Sequence, residues 1–449
     1  MDVLEHLTYE AMLGVFTPSR DRRQRIGVEL ECGLIDPHSG QCVPYWGEYG
    51  SGRLLASIAQ VFGGEPQCEA GAMLSVALPN GAQCSLELGG ALEYSSPPLI
   101  SLADLVEVTR RDLGRIADLA RTLRIAVLPG GMLPFTAVES IPWIPKPRVQ
   151  IMREYFRDLG PAAASAEAVM GLTLSAHTTF DYLSEADFAE KLRLLVRAAP
   201  VAAALFVNSP LEAGLPAGQL SRRMRLWQHV DPSRCGVLGF ADEPGLSAGT
   251  VVEWALRLPM IYRAKGDRHV RAPRRTFAEL IRHGFEDGAR PGRADWRSHL
   301  SQVWPQVRPR HTLEVRAPDG LNWADFAAVP AFWTGLVYDA SVRRDALTML
   351  DAYRLSELDA LVGGIATGAM WADLRGEPVG VAATELLRLA DRGLRARVAN
   401  GVEPPAVVGY LDPLWNVAKT GISFAEQVLA DWAGPLGERP SAFVEKYRI

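Results

Sequence analysis

Glu29 and Glu31 lie two residues apart in RIGVELECGLID (Arg25 to Asp36), where apolar Ile26, Val28 and Leu30 alternate with Gly27, Glu29 and Glu31. Alternation of this kind is the period of a strand with one polar face, and it sends both carboxylates out on that face, their Cα atoms about 6.5 to 7 Å apart. QCSLELGGALEY (Gln83 to Tyr94) repeats the pattern, with Glu87 and Glu93 flanking Gly89-Gly90. A double glycine reads as a turn or bulge, and a chain that doubles back there would bring the two glutamates together. HTLEVRA (His311 to Ala317) is a third such strand, carrying Glu314 and, on the same face, Arg316. Any one Glu-x-Glu reads most simply as a solvated face. Up to five carboxylates on otherwise apolar strands suit a hard cation such as Mg²⁺, which takes oxygen ligands and leaves positions for substrate phosphates.

A basic set accompanies them. Arg222, Arg223, Arg225 and Arg234 fall in LSRRMRLWQHVDPSR, and Lys146 and Arg148 in WIPKPRVQIM. The planar fork of arginine matches carboxylate and phosphate oxygens two at a time, so these residues could hold an amino-acid carboxylate or a triphosphate; the alternative is a solvated surface. His177, in LSAHTTFD, reads as a ligand, a proton carrier or a hydrogen-bonded core residue. Arg271 to Arg275 (RAPRR) reads as a flexible solvated loop.

The elements that would position these groups mix strands with helices. Leu102 to Leu123 repeats apolar residues every three or four positions behind a Ser101 cap, which predicts a long amphipathic helix. Ser184-Glu185-Ala186-Asp187 precedes a second helix, Phe188 to Ala204, whose last turns are apolar nearly all round, as in a buried helix. A third is expected over Trp323 to Met349 with a kink at Pro330. Hairpin-like signals outnumber βαβ alternation, so the class is α+β. No GxGxxG follows a strand and no GxxxxGK[ST] occurs, so a Rossmann or P-loop nucleotide site is not supported.

Composition narrows the function. The chain has 449 residues, 48% hydrophobic and 22% charged, with 47 basic against 52 acidic side chains. That is the make-up of a folded enzyme and not of a disordered or low-complexity protein. A net charge of −5 with no basic run gives no footprint for nucleic acid. Apolar stretches are far short of the roughly 20 residues that cross a bilayer, and the opening MDVLEHLTYEAML carries acids where a signal peptide carries bases, so a cytoplasmic protein is expected. Five unevenly spaced cysteines without a CxxC pair read as reduced thiols. No repeat or linker divides the chain, so residues 1–449 read as one catalytic domain.

The motifs resemble those of glutamate–cysteine ligases of the second family, the plant, proteobacterial and actinobacterial type that includes the ergothioneine-pathway ligase. RIGVELECG resembles the family's opening acidic strand, and SLELGGALEYSSPP its glutamate-flanked double glycine. WIPKPRVQIMREYF, ALFVNSPLEAGLPAGQLSRRMRLWQHVDPSRCG, RPRHTLEVRAPDG and TGISFAEQVLADW follow in family order. The resemblance implies a glutamine-synthetase-like fold: a curved, mainly antiparallel sheet forming a funnel, acids on its inner face and helices outside. It implies that ATP, held through Mg²⁺, phosphorylates the γ-carboxylate of L-glutamate, and that the amine of L-cysteine displaces phosphate to give γ-glutamylcysteine.

The roles it implies are metal binding for Glu29, Glu31, Glu87, Glu93 and Glu314, and contact with the transferred phosphoryl for Arg316. Arg223 and Arg234 would grip glutamate carboxylate or phosphate, and Lys146, Arg148, His177, Asn208 and Trp227 would contact substrate or nucleotide. The chain departs from the family at Ala91, Tyr94, Ser96, Val149 and His177, on segments that would shape substrate pockets, so a γ-glutamyl ligase with another amine acceptor is the alternative. A silent amino-acid or nucleotide sensor is disfavoured because all five carboxylates and Arg316 are in place. Alanine- and arginine-rich composition and a short N-terminus point to the ergothioneine-forming type.

Overall fold

The computed structural model describes residues 7–19, 23–266 and 268–449; the acidic opening segment on which the localisation expectation rests begins outside them, at residues 1–6. The strands that bear on the site are β1 (Ile26–Ile35), β2 (Glu65–Glu69), β3 (Ala72–Ala77), β4 (Gln83–Leu86), β5 (Leu92–Ser95), β6 (Ala126–Pro129), β7 (Ala176–Phe180), β8 (Cys235–Gly236), β9 (Tyr262–Lys265), β10 (Arg268–Arg271), β11 (Trp304–Pro305), β12 (Val307–Pro309) and β13 (Leu313–Val315); two short two-stranded ribbons lie elsewhere. Nine of them make one antiparallel sheet in the order β12-β13-β7-β1-β5-β4-β3-β2, with β6 also on β1. β1 is its longest strand. It pairs with β5 along one side, and with β7 and then β6 along the other.

The pleat of β1 separates two environments as its alternation predicts. Ile26, Val28, Leu30 and Cys32 are buried, while Gly27, Glu29 and Glu31 stay partly accessible on the opposite face. The Gly89-Gly90 segment is the turn of the β4–β5 hairpin. Gly90 adopts φ +92°, and a Cβ on Gly89 would lie 2.1 Å from the carbonyl oxygen of Gly171, so a side chain at either position would disturb the bend.

Helices cover the sheet and build the rest of the molecule, among them α1 (Leu102–Thr122), α2 (Arg148–Leu159), α3 (Glu185–Ala202), α4 (Arg222–Trp227), α5 (Ala328–Val337), α6 (Ala340–Leu350) and α7 (Leu355–Gly368). Ser101 caps α1 by accepting the Asp104 N–H, and Ser184 caps α3 by accepting that of Asp187, so α3 starts at Glu185. The last turns of α3 are buried all round. The single helix expected over 323–349 is two. Asp339 accepts the N–H groups of Ser341 and Val342 and starts α6 as a new helix, while Pro330 sits in the first turn of α5, where a missing N–H costs nothing. Arg271 belongs to β10 and, like Arg274, pairs with Asp158, so the 271–275 segment is tied down. Among the described residues no helix is long and apolar enough to cross a membrane.

Candidate active site

Sheet register brings the acids together. Glu29 stands between His177 of β7 and Ser95 of β5, and Glu31 faces Glu93 directly. His177 is 1% exposed; its Nδ1 lies 2.5 Å from Glu29 Oε1 and its Nε2 2.6 Å from Ser175 Oγ, whose hydroxyl donates to Glu31 at 2.6 Å. Ser85 donates to Glu93 at 2.8 Å. Ligand-capable atoms of Glu29, Glu31 and His177 all fall within 4.8 Å of one another. His177 is therefore a buried bridge between carboxylates, joining two of the readings open to it.

The carboxylates do not share one electrostatic state. Burial pushes the Glu29 carboxyl up, but the His177 imidazole beside it more than offsets this and leaves it below the usual range. Glu31 is raised, by burial against the pull of His177, with Glu87 and Glu29 adding repulsion. Glu93 is pushed well up by burial and then by Glu29, Glu87 and Glu31. Such a set gives up its excess repulsion when a cation arrives.

Beside the acids stands an arginine cluster that hinges on Glu314. Arg308, its cross-strand partner, holds it with two bonds of 2.9 Å; Arg316 adds one of 2.7 Å and Arg310 one of 3.2 Å, and His177 Nδ1 is 3.4 Å away. Burial opposes ionisation of Glu314, yet Arg308 and Arg316 hold its carboxyl well below the usual range. Arg308 and Arg310 are additions to the expected site, and so is Ser175. The Arg-Pro-Arg spacing before His311 is the signal for the two arginines, because period two puts both on one face, which the register then sets against Glu314.

Glu29, Glu31, Glu87 and Glu93 line a chamber of about 310 Å³ together with Arg148, Arg223, Arg308, Arg310 and Arg316. A second chamber of about 360 Å³ shares Arg223, Trp227, Trp304 and Arg316 with it. Arg223 is 5% exposed; its two terminal nitrogens donate to the carbonyls of Ala317 and Arg316, and its Nε has no partner among the described residues. Lys146 reaches the Leu86 carbonyl at 3.3 Å beside the acid chamber, and burial followed by Arg148 lowers its ammonium.

Two expected contacts lie elsewhere. Arg234 is fully buried and spends its guanidinium on Asp231, Tyr155 and the carbonyls of Gln302 and Pro259, so it braces the wall from behind and does not reach a chamber. Asn208 binds Asp319 and the Gly320 carbonyl in a separate small hollow. Of the residues expected to reshape the substrate pockets, only His177 faces the acids. Tyr94 points to the opposite face of β5 and donates to Asp112, Ser96 accepts the Val28 N–H, and Ala91 and Val149 are packed in the core.

The sequence pattern of the family described as glutamate-cysteine ligase family 2 matches residues 25–441. The chain belongs to glutamate-cysteine ligase family 2. Within the family it is similar to the chloroplastic glutamate–cysteine ligase of Brassica juncea, 31% identical over 389 residues, 86% of this chain and 74% of that one. It is likewise similar to that of Solanum lycopersicum, 30% identical over 452 residues, 98% and 83% of the two chains. Among solved structures, the glutamate–cysteine ligase of Francisella tularensis in complex with AMP shares its fold at TM-score 0.55 with 12% identity, covering 96% of this chain and 88% of the other. A bifunctional glutathione synthetase from Pasteurella multocida does so at 0.51 with 14% identity, covering 99% of this chain and 54% of its own. The α+β architecture with its antiparallel sheet is thus the fold of carboxylate-amine ligases of this kind.

Proposed function

We propose that the protein is an ATP-dependent glutamate–cysteine ligase. The observation that carries this reading is the two-signed chamber, in which four carboxylates from β1 and the β4–β5 hairpin and five arginines line one space of about 310 Å³. Phosphoryl transfer needs little covalent help from a protein and much charge stabilisation, and this chamber supplies both signs. The chloroplastic relatives' named activity and the AMP carried by the Francisella relative support the donor and the nucleotide.

The carboxylates fit a hard divalent cation: Glu29, Glu31 and His177 offer ligand atoms within 4.8 Å of one another, and Glu31 and Glu93 are raised, first by burial and then by the neighbouring carboxylates. Glu29, Glu31, Glu87 and Glu93 would hold Mg²⁺, with Glu314 adjoining through His177. When bound, Mg²⁺ supplies neutralisation of the triphosphate and of charge developing on the transferred group. Arg308, Arg310 and Arg316, lining the same chamber, meet that charge with guanidinium donors. Arg223 fixes the end of β13 that carries Arg316 and faces the carboxylate that attacks. The γ-carboxylate oxygen of glutamate bonds to the terminal phosphorus as ADP leaves. The amine of cysteine then adds to the acyl carbon and phosphate departs, taking up the proton that the nitrogen gives away.

The test is ADP and phosphate release with glutamate, MgATP and a panel of amines, with mass detection of product. Formation of γ-glutamylcysteine is expected. Turnover of another amine in its place would keep donor and mechanism and move only the acceptor.

A further inference from the structure

Arg223, which lines both chambers, is held by Asp319, which lines neither. Two nitrogens of the guanidinium donate to the carbonyls of Arg316 and Ala317, at 2.8 and 2.9 Å, and Asp319 Oδ1 lies 3.6 Å from one of them. All three acceptors come from one stretch of four residues, Arg316 to Asp319, that wraps a single cation. Among the described residues no other carboxylate is within ion-pair distance of Arg223. Asp319 is fully buried, and its Oδ2 accepts the Asn208 N–H at 2.9 Å and the Ser209 hydroxyl at 2.8 Å. Ser209 Oγ in turn accepts the backbone N–H of Arg223 at 3.1 Å, which ties the first turn of α4 to the same carboxylate.

The carboxylate has no room to shift. A Cβ on Gly131 would stand 2.8 Å from that of Asp319, and the Asp319 backbone bridges Ser175, whose hydroxyl donates to Glu31. Neither Asp319 Oδ1 nor Arg223 Nε has a hydrogen-bond partner among the described residues, so what joins the two side chains is charge. A guanidinium carries five N–H donors. With two spent on carbonyls, attraction to Asp319 fixes the plane in which the others lie, Nε among them. Burial works against the Arg223 charge, Asp319 is the strongest influence in its favour, and the next is Glu31 of the acid chamber. Without Asp319 the strongest remaining pull on the cation is therefore toward the carboxylates that would hold Mg²⁺.

We propose that Asp319 is a positioning residue for phosphoryl transfer: by pairing with Arg223 it aims the guanidinium at the reacting carboxylate and keeps it out of the acid cluster. This rests on the ligase reading above. Asp319 touches no substrate, and its effect on turnover passes through Arg223.

The test is a double-mutant cycle on the whole protein. Asp319→Asn keeps an oxygen for the Asn208 N–H and the Ser209 hydroxyl but removes the charge, and Arg223→Met removes the cation. With glutamate, MgATP and L-cysteine, kcat/KM for glutamate should fall about 30-fold in Asp319→Asn, while KM for MgATP stays within about threefold of wild type. Arg223→Met should lose about 100-fold or more, and adding Asp319→Asn to it should change kcat/KM by less than about threefold, since no cation is left to aim. Melting temperatures should show the same coupling: each single variant leaves a buried charge unpaired, so the double variant, with neither charge, loses less than the two singles summed. Asp319→Ala takes the place of Asp319→Asn should the amide variant not fold. Wild-type kcat/KM in the folded Asp319 variant, or a further loss of about 10-fold on adding it to Arg223→Met, would overturn the assignment. Wild-type enzyme that releases no ADP with glutamate would overturn the ligase reading instead; the pairing is then decided by the melting temperatures, where additive losses refute it.

Discussion

Glu31 of β1 and Glu93 of β5 stand directly opposite each other, so the sheet carries a facing pair of like charges at its centre. Facing like charges destabilise a sheet. Here Glu29 and Glu87 add to the repulsion on Glu93, and among the described residues no arginine hydrogen-bonds Glu31 or Glu93; Arg308, Arg310 and Arg316 hydrogen-bond Glu314 instead. The fold thus holds together charges that do better apart, and the site is a place where stability has been given up for function.

Glu93→Gln should accordingly stabilise the metal-free protein while disabling it. Removing one of the facing charges is expected to be worth ~1 kcal/mol, a rise of about 2 °C in melting temperature for a chain of this size. ADP release should drop at least 100-fold. Differential scanning fluorimetry without divalent cation, paired with a coupled ADP assay, reads both; a fully active variant would remove Glu93 from the site.

Mg²⁺ should raise the melting temperature of the wild type in a concentration-dependent way, because a cation that binds only the folded site adds about 2.7 kcal/mol at a hundred times its dissociation constant. Glu31→Gln should flatten that response, and EDTA should abolish ADP release. An equal Mg²⁺ shift in wild type and variant would place the cation elsewhere.

Arg223 and Arg234 should separate into two phenotypes although both are buried arginines of one motif. Arg234→Lys gives up bonds to Asp231, Tyr155 and two carbonyls in a closed space, so the expected loss is in stability, about 3 to 5 kcal/mol, with KM for glutamate near wild type in whatever remains folded. Arg223→Lys cannot reproduce the two-point hold on the carbonyls of Ala317 and Arg316, and kcat/KM should fall at least 100-fold. Chemical denaturation and steady-state kinetics on both variants decide it. Matching profiles would refute the distinction.

His299 should make the fold acid-sensitive. Its ring is fully buried, bonded to the Ala255 carbonyl and stacked on Phe277, and burial pushes its pKa down to about 3. Unfolded, it titrates near 6.5, so below that pH the unfolded chain takes up a proton that the folded chain refuses. Its contribution is complete above pH 6.5 and drains away as pH falls toward 3, at roughly 1.4 kcal/mol per pH unit. His299→Gln should show a shallower fall in melting temperature between pH 7 and pH 5 than wild type; parallel curves would contradict this.

Strand alternation, the double glycine and the serine caps are local signals, and β1, the β4–β5 hairpin, α1 and α3 stand where those signals put them. The Arg-Pro-Arg spacing puts Arg308 and Arg310 on one face, but that this face is Glu314's follows only from the two-strand ladder that pairs Arg308 with it. Arg234 shares a motif with Arg223, and only packing tells that one faces a chamber and the other the space behind it. The break between α5 and α6 was hidden because apolar residues continue in helical period through it, and the Asp339 cap outweighs that pattern locally. The second chamber joins residues near 225, 235, 305 and 360, so no window of the chain contains it.

The two-sided pairing of β1 turns the site into a matter of parity. Loss or gain of one residue between Arg25 and Glu29 would leave composition, strand propensity and hairpins untouched, yet it would rotate Glu29 and Glu31 into the space now filled by Val28 and Leu30, and those two into the chamber. A two-residue change would return each side chain to its own face. Along this strand the ligase should tolerate length variation only in even steps, while the surface loops remain free to vary by any number.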